Sequence, residues 1–284
     1  MALTITVAVM VVEIVGGLVA DSLALIADAA HMATDAVGLG MALLAVRFAG
    51  RPAGTNRTFG YARAEILAAL ANCLLLLGVG GYVLYEAVQR FLTPAGTEGG
   101  LMIAFGAIGL AANTVSLTLL MRGQAESLNV RAAFLEVAAD ALGSLAVIVS
   151  AAVILATGWL PADPIASLVI GLLIVPRTLR LLRETLDVLL EAAPKGVDMA
   201  EVRSHILALD GVEDVHDLHA WTITSGLPVL SAHVVVRSDV LNAIGHEKML
   251  HELQECLGGH FDVEHCTFQL EPAGHAEHEA RLCH

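Results

Sequence analysis

Residues 23–48 read LALIADAAHMATDAVGLGMALLAVRF. The run is apolar and long enough to cross a bilayer as a helix, which needs about 20 residues. It nevertheless carries Asp28, His31 and Asp35. A charged side chain in hydrocarbon costs at least about 2.5 kcal/mol even on the lenient insertion scale, so such residues face a cavity or a partner. His31 and Asp35 are four apart, on one face of a helix and one turn from each other. A second pair at that spacing, Glu136 and Asp140, lies in residues 131–155, RAAFLEVAADALGSLAVIVSAAVIL. Two buried helices that each offer two ligand-type side chains can converge on one ion.

Composition agrees with a membrane protein carrying a soluble remainder. Of 284 residues, 56% are hydrophobic and only 15% charged, against about 25% charged in soluble domains. Mean hydropathy is +0.73. The apolar content ends near residue 190, and most His and much of the acidic excess follow it. The net charge of −14 argues against nucleic acid as a partner. Cys73, Cys256, Cys266 and Cys283 form no CxxC pair and no disulfide framework. No cleavable signal peptide is expected, because the first apolar run is too long and lacks a basic flank. It reads as the first span, with room for a short extension before it.

Six apolar runs follow one another: 2–20, 23–48, about 66–88, 101–121, 132–157 and 165–182. Pro176 sits inside the last and is expected to kink it. Arg47, Arg51, Arg57, Arg63, Arg122, Arg131, Arg177, Arg180 and Arg183 fall on one side and Arg90 alone on the other. The Arg-rich side is the cytosol, so six spans leave both chain ends cytosolic. Domain limits follow: 1–190 for the membrane part, 191–272 for a cytosolic domain, and 273–284 for a flexible His/Cys-containing tail.

The cytosolic part reads helix, strand, strand, helix, strand. VDMAEVRSHILALD is helical with Asp198 as a cap. VEDVHDLHAWTIT, PVLSAHVVVRS and VEHCTFQLE are strand-like, and VLNAIGHEKMLHELQECL is one amphipathic helix. The order predicts a ferredoxin-like α+β (αββαβ) module with both helices on one face of the sheet.

His31, Asp35, Glu136 and Asp140 together offer one imidazole and three carboxylates, a set that suits tetrahedral Zn²⁺. Asp35 lies roughly 18 Å into its run and Asp140 roughly 12 Å into the antiparallel one, so both sit near mid-membrane. Ala132, Ala139, Gly143 and Ser144 flank the second pair and allow close helix approach. Asp28 either lines an exit path or serves as a cap or structural hydrogen-bond partner. Glu13, Asn72 and Asn113 are expected to make interhelical hydrogen bonds. One concentrated site suits a carrier, whereas a channel needs a continuous lining of weak sites. There is no HExxH and no spare base beside the four ligands, so an enzyme is not expected.

SLALIADAAHMATD, FGYARAEILAALAN, ESLNVRAAFLEVAADALGS and VHDLHAW resemble the cation diffusion facilitator family, over nearly the whole chain from Glu13 to Glu271. The resemblance implies six spanning helices, a metallochaperone-like cytosolic domain, homodimers and metal/proton exchange. It implies membrane ligands at His31, Asp35 and Asp140, whereas zinc members usually carry His where this chain has Glu136. With that departure the deprotonated site is −3 empty and −1 with a divalent ion, which predicts easier metal release by protons. Three oxygens also make the site harder, opening it to Mn²⁺, Fe²⁺ or Co²⁺ beside Zn²⁺.

In the cytosolic domain the resemblance points to His216, His233, His246 and Glu271 as ligands, with Gln269 where some members have His. His219 belongs to the same VHDLHAW block. His275, His278, Cys283 and His284 belong to the tail, where no defined site is expected. The loop between the second and third runs has no ligand-type residue before Glu65, so no metal site is expected there. Arg63 and Glu191 resemble a family charge pair, with a plain positive-inside Arg and a solvated Glu as the alternative.

The combined reading is a homodimeric, multi-pass exporter of the cytoplasmic membrane. It exchanges Zn²⁺ for protons by alternating access and has lipid, metal ions and protons as partners. The alternatives are a Co²⁺, Cd²⁺, Mn²⁺ or Fe²⁺ exporter of the same mechanism, or a metal-binding membrane scaffold without flux.

Overall fold

A computed structural model describes residues 2–94, 96–121, 128–261, 263 and 265–275. The first six elements are helices: α1 (Ala2–Ala20), α2 (Leu23–Ala49), α3 (Ala64–Leu92), α4 (Gly99–Leu120), α5 (Leu128–Thr157) and α6 (Ala162–Leu189). Among the described residues, five helices are long and apolar enough to cross a membrane, and Val7–Ala20 of α1 forms a shorter apolar one. Leu18, Leu43, Leu74 and Leu172 point outward and are more than half exposed, as side chains facing lipid would be. The inside is built from smaller groups, with Ala20, Ala24, Ala27, Ala151, Ala162 and Ala166 around Met102 and Val147. Small residues let helix backbones approach where lipid supplies no hydrophobic drive. On α4, Gly106 faces α5 so closely that a Cβ would meet Ile148 at 3.1 Å.

Helix ends differ from the apolar runs where hydropathy and helix formation part company. Helix α6 continues seven residues past the apolar limit at 182, through Arg183 and Glu184, because Leu, Arg and Glu are all good helix formers. It also continues through Pro176. Helix α3 takes in YEAVQRF and ends at Leu92. There Arg90 pairs with Asp21 at 3.0 Å and with Glu86 at 3.2 Å, and it donates to the Asp21 carbonyl at 2.8 Å. Asp21 takes the left-handed φ of +48° that turns the chain between α1 and α2.

The start of α2 is held from a distance. Asp163, fully buried in the first turn of α6, accepts from Ser22 Oγ at 2.6 Å and from the amides of Leu23 and Ala24 at 2.8 and 3.2 Å. It satisfies donors that a helix N-terminus otherwise leaves orphaned. It thereby fixes the end of the helix that carries His31 and Asp35.

The second compact unit comprises residues 48–66 and 184–284. It contains α7 (Met199–Leu207), β1 (Val212–Thr222), β2 (Pro228–Val236), α8 (Ser238–Ile244), α9 (His246–Phe261) and β3 (His265–Glu271). The sheet order is β1-β2-β3, with β1 antiparallel and β3 parallel to β2. Val202 and Ile206 of α7, Met249, Leu253 and Leu257 of α9, and Leu230 and Val234 of β2 share one core. Asp198 caps α7, accepting from Ala200 N at 2.8 Å and Glu201 N at 3.4 Å.

The single helix expected between the second and third strands is two. Gly245, at φ +83°, ends α8, and His246 opens α9. Glycine reaches that backbone region without a Cβ clash, which makes it a helix terminator rather than an interior residue. The tail residues His278, Cys283 and His284 lie outside the described residues.

Replacing Asp163 by Ala leaves buried donors unpaired and is expected to destabilise the membrane unit by about 1–3 kcal/mol. Unfolding of the full chain in mixed micelles measures this. An unchanged midpoint would show that Asp163 does not anchor α2.

Candidate metal centre

Helices α2 and α5 bring their two pairs together. His31 Nε2 lies 3.5 Å from Asp35 Oδ2 and 3.8 Å from Asp140 Oδ1. Ligand atoms of His31, Asp35 and Glu136 all lie within 4.8 Å of one another. Tetrahedral zinc with ligand bonds near 2.0 Å has donor–donor edges of about 3.3 Å, so the donors would draw together by up to roughly 1.5 Å to hold an ion. Among the described residues, nothing hydrogen-bonds the buried His31 Nδ1 and Asp140 Oδ1. Buried polar atoms almost always have a hydrogen-bond partner, so these are atoms that a ligand would satisfy. The cluster opens on a cavity of about 450 Å³ lined by α2, α3, α5 and α6, with Asn72, Gly143 and Thr178 on its wall.

Glu136 is not free. Arg177 of α6 grips it with both terminal nitrogens, Nη1 reaching Oε1 at 2.9 Å and Nη2 bonding Oε2. From the sequence, Arg177 counted only as a topology marker. The missed signal was its position next to Pro176, inside an apolar run, where a guanidinium needs a carboxylate.

Asp28, fully buried, lines the same cavity. It accepts from Ser144 Oγ at 3.3 Å and sits so close to Gly143 that a Cβ there would meet it at 2.6 Å. Among the described residues, Asn72 Oδ1 and Asn113 Nδ2 lack the hydrogen-bond partners expected of them.

A second cluster lies in the other unit. His216 Nε2 is 3.1 Å from Glu271 Oε2, and His233 Nδ1 is 2.8 Å from Glu271 Oε1. Register explains the meeting: His216 pairs with His233 across β1 and β2, and His233 with Gln269 across β2 and β3. Glu271 therefore ends β3 beside both rings. Gln269 Nε2 donates to Glu271 Oε1 at 2.8 Å and steadies it. After His216 the β1 register shifts, with Asp217 at φ +44°. His219 falls beyond that bulge. Exposed His246 lies outside this convergent group of donors.

Arg63 Nη2 meets Glu191 Oε1 at 2.8 Å. Glu65 accepts from Thr224 Oγ1 at 2.7 Å and Ser225 Oγ at 3.0 Å. Cys73, Cys256 and Cys266 are not disulfide-bonded.

The amino-terminal 1–190 match the family model described as the cation efflux transmembrane domain, and 194–273 match the cation efflux protein cytoplasmic domain. The chain belongs to the cation diffusion facilitator family. These proteins are efflux transporters, not enzymes, and the chain is a multi-pass membrane protein for divalent metal efflux. It is 47% identical over 272 residues to the metal cation efflux system protein CzcD of Cupriavidus metallidurans, covering 96% of this chain and 85% of the relative. It is 42% identical over 269 residues to the zinc transporter ZitB of Escherichia coli, covering 94% and 84%. A cadmium, cobalt and zinc/H(+)-K(+) antiporter of Bacillus subtilis is 37% identical over 276 residues, covering 96% and 88%.

Burial pushes the Cys266 thiol up to about 11, and the thiol donates to the Val263 carbonyl at 3.1 Å. A raised pKa means less thiolate, so Cys266 should alkylate at pH 8 roughly a hundredfold more slowly than in the unfolded chain. Its rate should then climb with pH toward 11. Mass spectrometry of iodoacetamide-treated protein reads this, and a rate equal to the unfolded chain's would contradict the burial.

Proposed function

We propose that this chain exports Zn²⁺ across the cytoplasmic membrane in exchange for protons, as a homodimer with both chain ends in the cytosol. One observation carries the reading. Donors of His31, Asp35 and Glu136 lie within 4.8 Å of one another on two membrane-spanning helices, with Asp140 3.8 Å from the same imidazole. Zn²⁺ enters from the cytosol and takes these four ligands. The helices then rock, and protons arriving from outside occupy the carboxylates and His31 and displace the ion. Ligands must be deprotonated to bind metal, so binding and protonation exclude each other at this site. The antiporter name of the Bacillus subtilis relative supports the exchange. The name of the cytoplasmic-domain model, ZT_dimer, supports the dimer.

The domain limits 1–190, 191–272 and 273–284 divide transport, dimerisation and tail. In the dimerisation domain His216, His233 and Glu271 form a second metal site that senses cytosolic metal. His246, exposed at the start of α9, is a further ligand that closes on it only with rearrangement. A second reading is a preference for Co²⁺, Cd²⁺, Mn²⁺ or Fe²⁺, favoured by the three carboxylates.

Flux into proteoliposomes under an imposed pH gradient tests the transport reading, with Zn²⁺, Cd²⁺, Co²⁺ and Mn²⁺ compared. Uptake of Zn²⁺ should follow the gradient and fall to the background of empty liposomes in Asp140→Ala. Tight binding without flux under any gradient would leave a scaffold instead. Glu271→Gln removes a buried acceptor shared by two imidazoles and should weaken the cytosolic site by tenfold or more, on the order of 1.4 kcal/mol. Unchanged metal stoichiometry and affinity in that variant would remove the second site.

A further inference from the structure

We infer that Arg177 is the resident counter-cation of the intramembrane site, loosening its hold on the transported ion by occupying Glu136. The inference rests on the proposal that His31, Asp35, Glu136 and Asp140 bind the metal. Three carboxylates and a neutral imidazole carry −3, and a divalent ion leaves −1 behind. Arginine stays charged at any accessible pH. With its guanidinium included, the empty site is −2 and the loaded site neutral. Arg177 thus offsets the charge of the third carboxylate.

The geometry says how. Both terminal nitrogens of Arg177 bond Glu136, one to each carboxylate oxygen. That fork is the strong bidentate arrangement, and it takes up both oxygens that a metal would use. The other two carboxylates have no such partner. Asp35 faces His31 at 3.5 Å, and among the described residues nothing hydrogen-bonds the buried Asp140 Oδ1. Arg177 and Glu136 stand on different helices, α6 and α5, and both line the cavity. An arriving divalent cation must draw Glu136 away from the guanidinium or share it. A departing ion leaves Glu136 to a partner already at hand. Such a site binds more weakly and releases more readily than four unopposed ligands.

Metal affinity of the full-length protein in detergent, by competition with a chromophoric chelator, tests this. Sites lost in Asp140→Ala are assigned to the membrane centre, so cytosolic binding is subtracted. Arg177→Gln is expected to tighten Zn²⁺ binding there by about tenfold, the size of one hydrogen bond to a charged group that the ion no longer has to displace from Glu136. In proteoliposomes it should lower KM and maximal flux together. Arg177→Lys keeps a charge without the fork and should tighten binding less, which carries the test if the Gln variant does not fold. In a Glu136→Gln background, Arg177→Gln should leave affinity unchanged within twofold.

A merely structural arginine would give weaker or unchanged binding when replaced, and either result overturns the inference. Equal tightening in the Glu136→Gln background would overturn it as well, since the effect would then not run through Glu136. If Asp140→Ala removes no site from the wild type, the metal assignment itself fails and the inference falls with it.

Discussion

Ionisable side chains inside an apolar helix bundle are tolerated only in one another's company. That constraint shapes the whole membrane unit. Donors of His31, Asp35 and Glu136, on α2 and α5, lie within 4.8 Å of one another, and Asp140 lies 3.8 Å from the same imidazole. The outward faces of the same helices carry Val37, Leu43 and Leu142. The convergence needs the two helices at one depth and close together. Ser144 bonding Asp28 and the bare backbone of Gly143 meet the second need. Asp163 meets the first by holding the opening turn of α2.

Such a site gains its properties from what is left unpaired as much as from what is paired. An unpartnered donor in a low-dielectric interior is costly until a ligand arrives, and binding then recovers what folding gave up. His31 Nδ1 and Asp140 Oδ1 are such atoms. Glu136 is the opposite case, satisfied beforehand by Arg177. A carrier must bind and release within one cycle, and a centre that mixes unpaired and paired ligands suits that better than one uniformly hungry for metal.

Much of the fold was legible because hydropathy and helical period are local properties. The first apolar run and α1 share their limits, 2–20, and the i, i+4 pairs foretold that each helix would present both ligand-type side chains on one face. What escaped depended on partners far away in sequence. Arg177 meets Glu136 across 41 residues, and Asp163 meets Leu23 across 140. A helical period tells which face a residue occupies, not which neighbour that face meets. The break at Gly245 was local, yet the continuous apolar pattern of VLNAIGHEKMLHELQECL masked it. In the sheet, the meeting of His216, His233 and Glu271 depends on register, which strand propensity alone does not set.

Zinc K-edge X-ray absorption tests the central claim most directly. The full chain carrying Glu271→Gln, loaded with one Zn²⁺ per protomer, should show four nitrogen and oxygen neighbours at about 2.0 Å with the multiple scattering of a single imidazole. Two or more imidazoles, or any sulfur neighbour near 2.3 Å, would place the ion elsewhere and contradict the account.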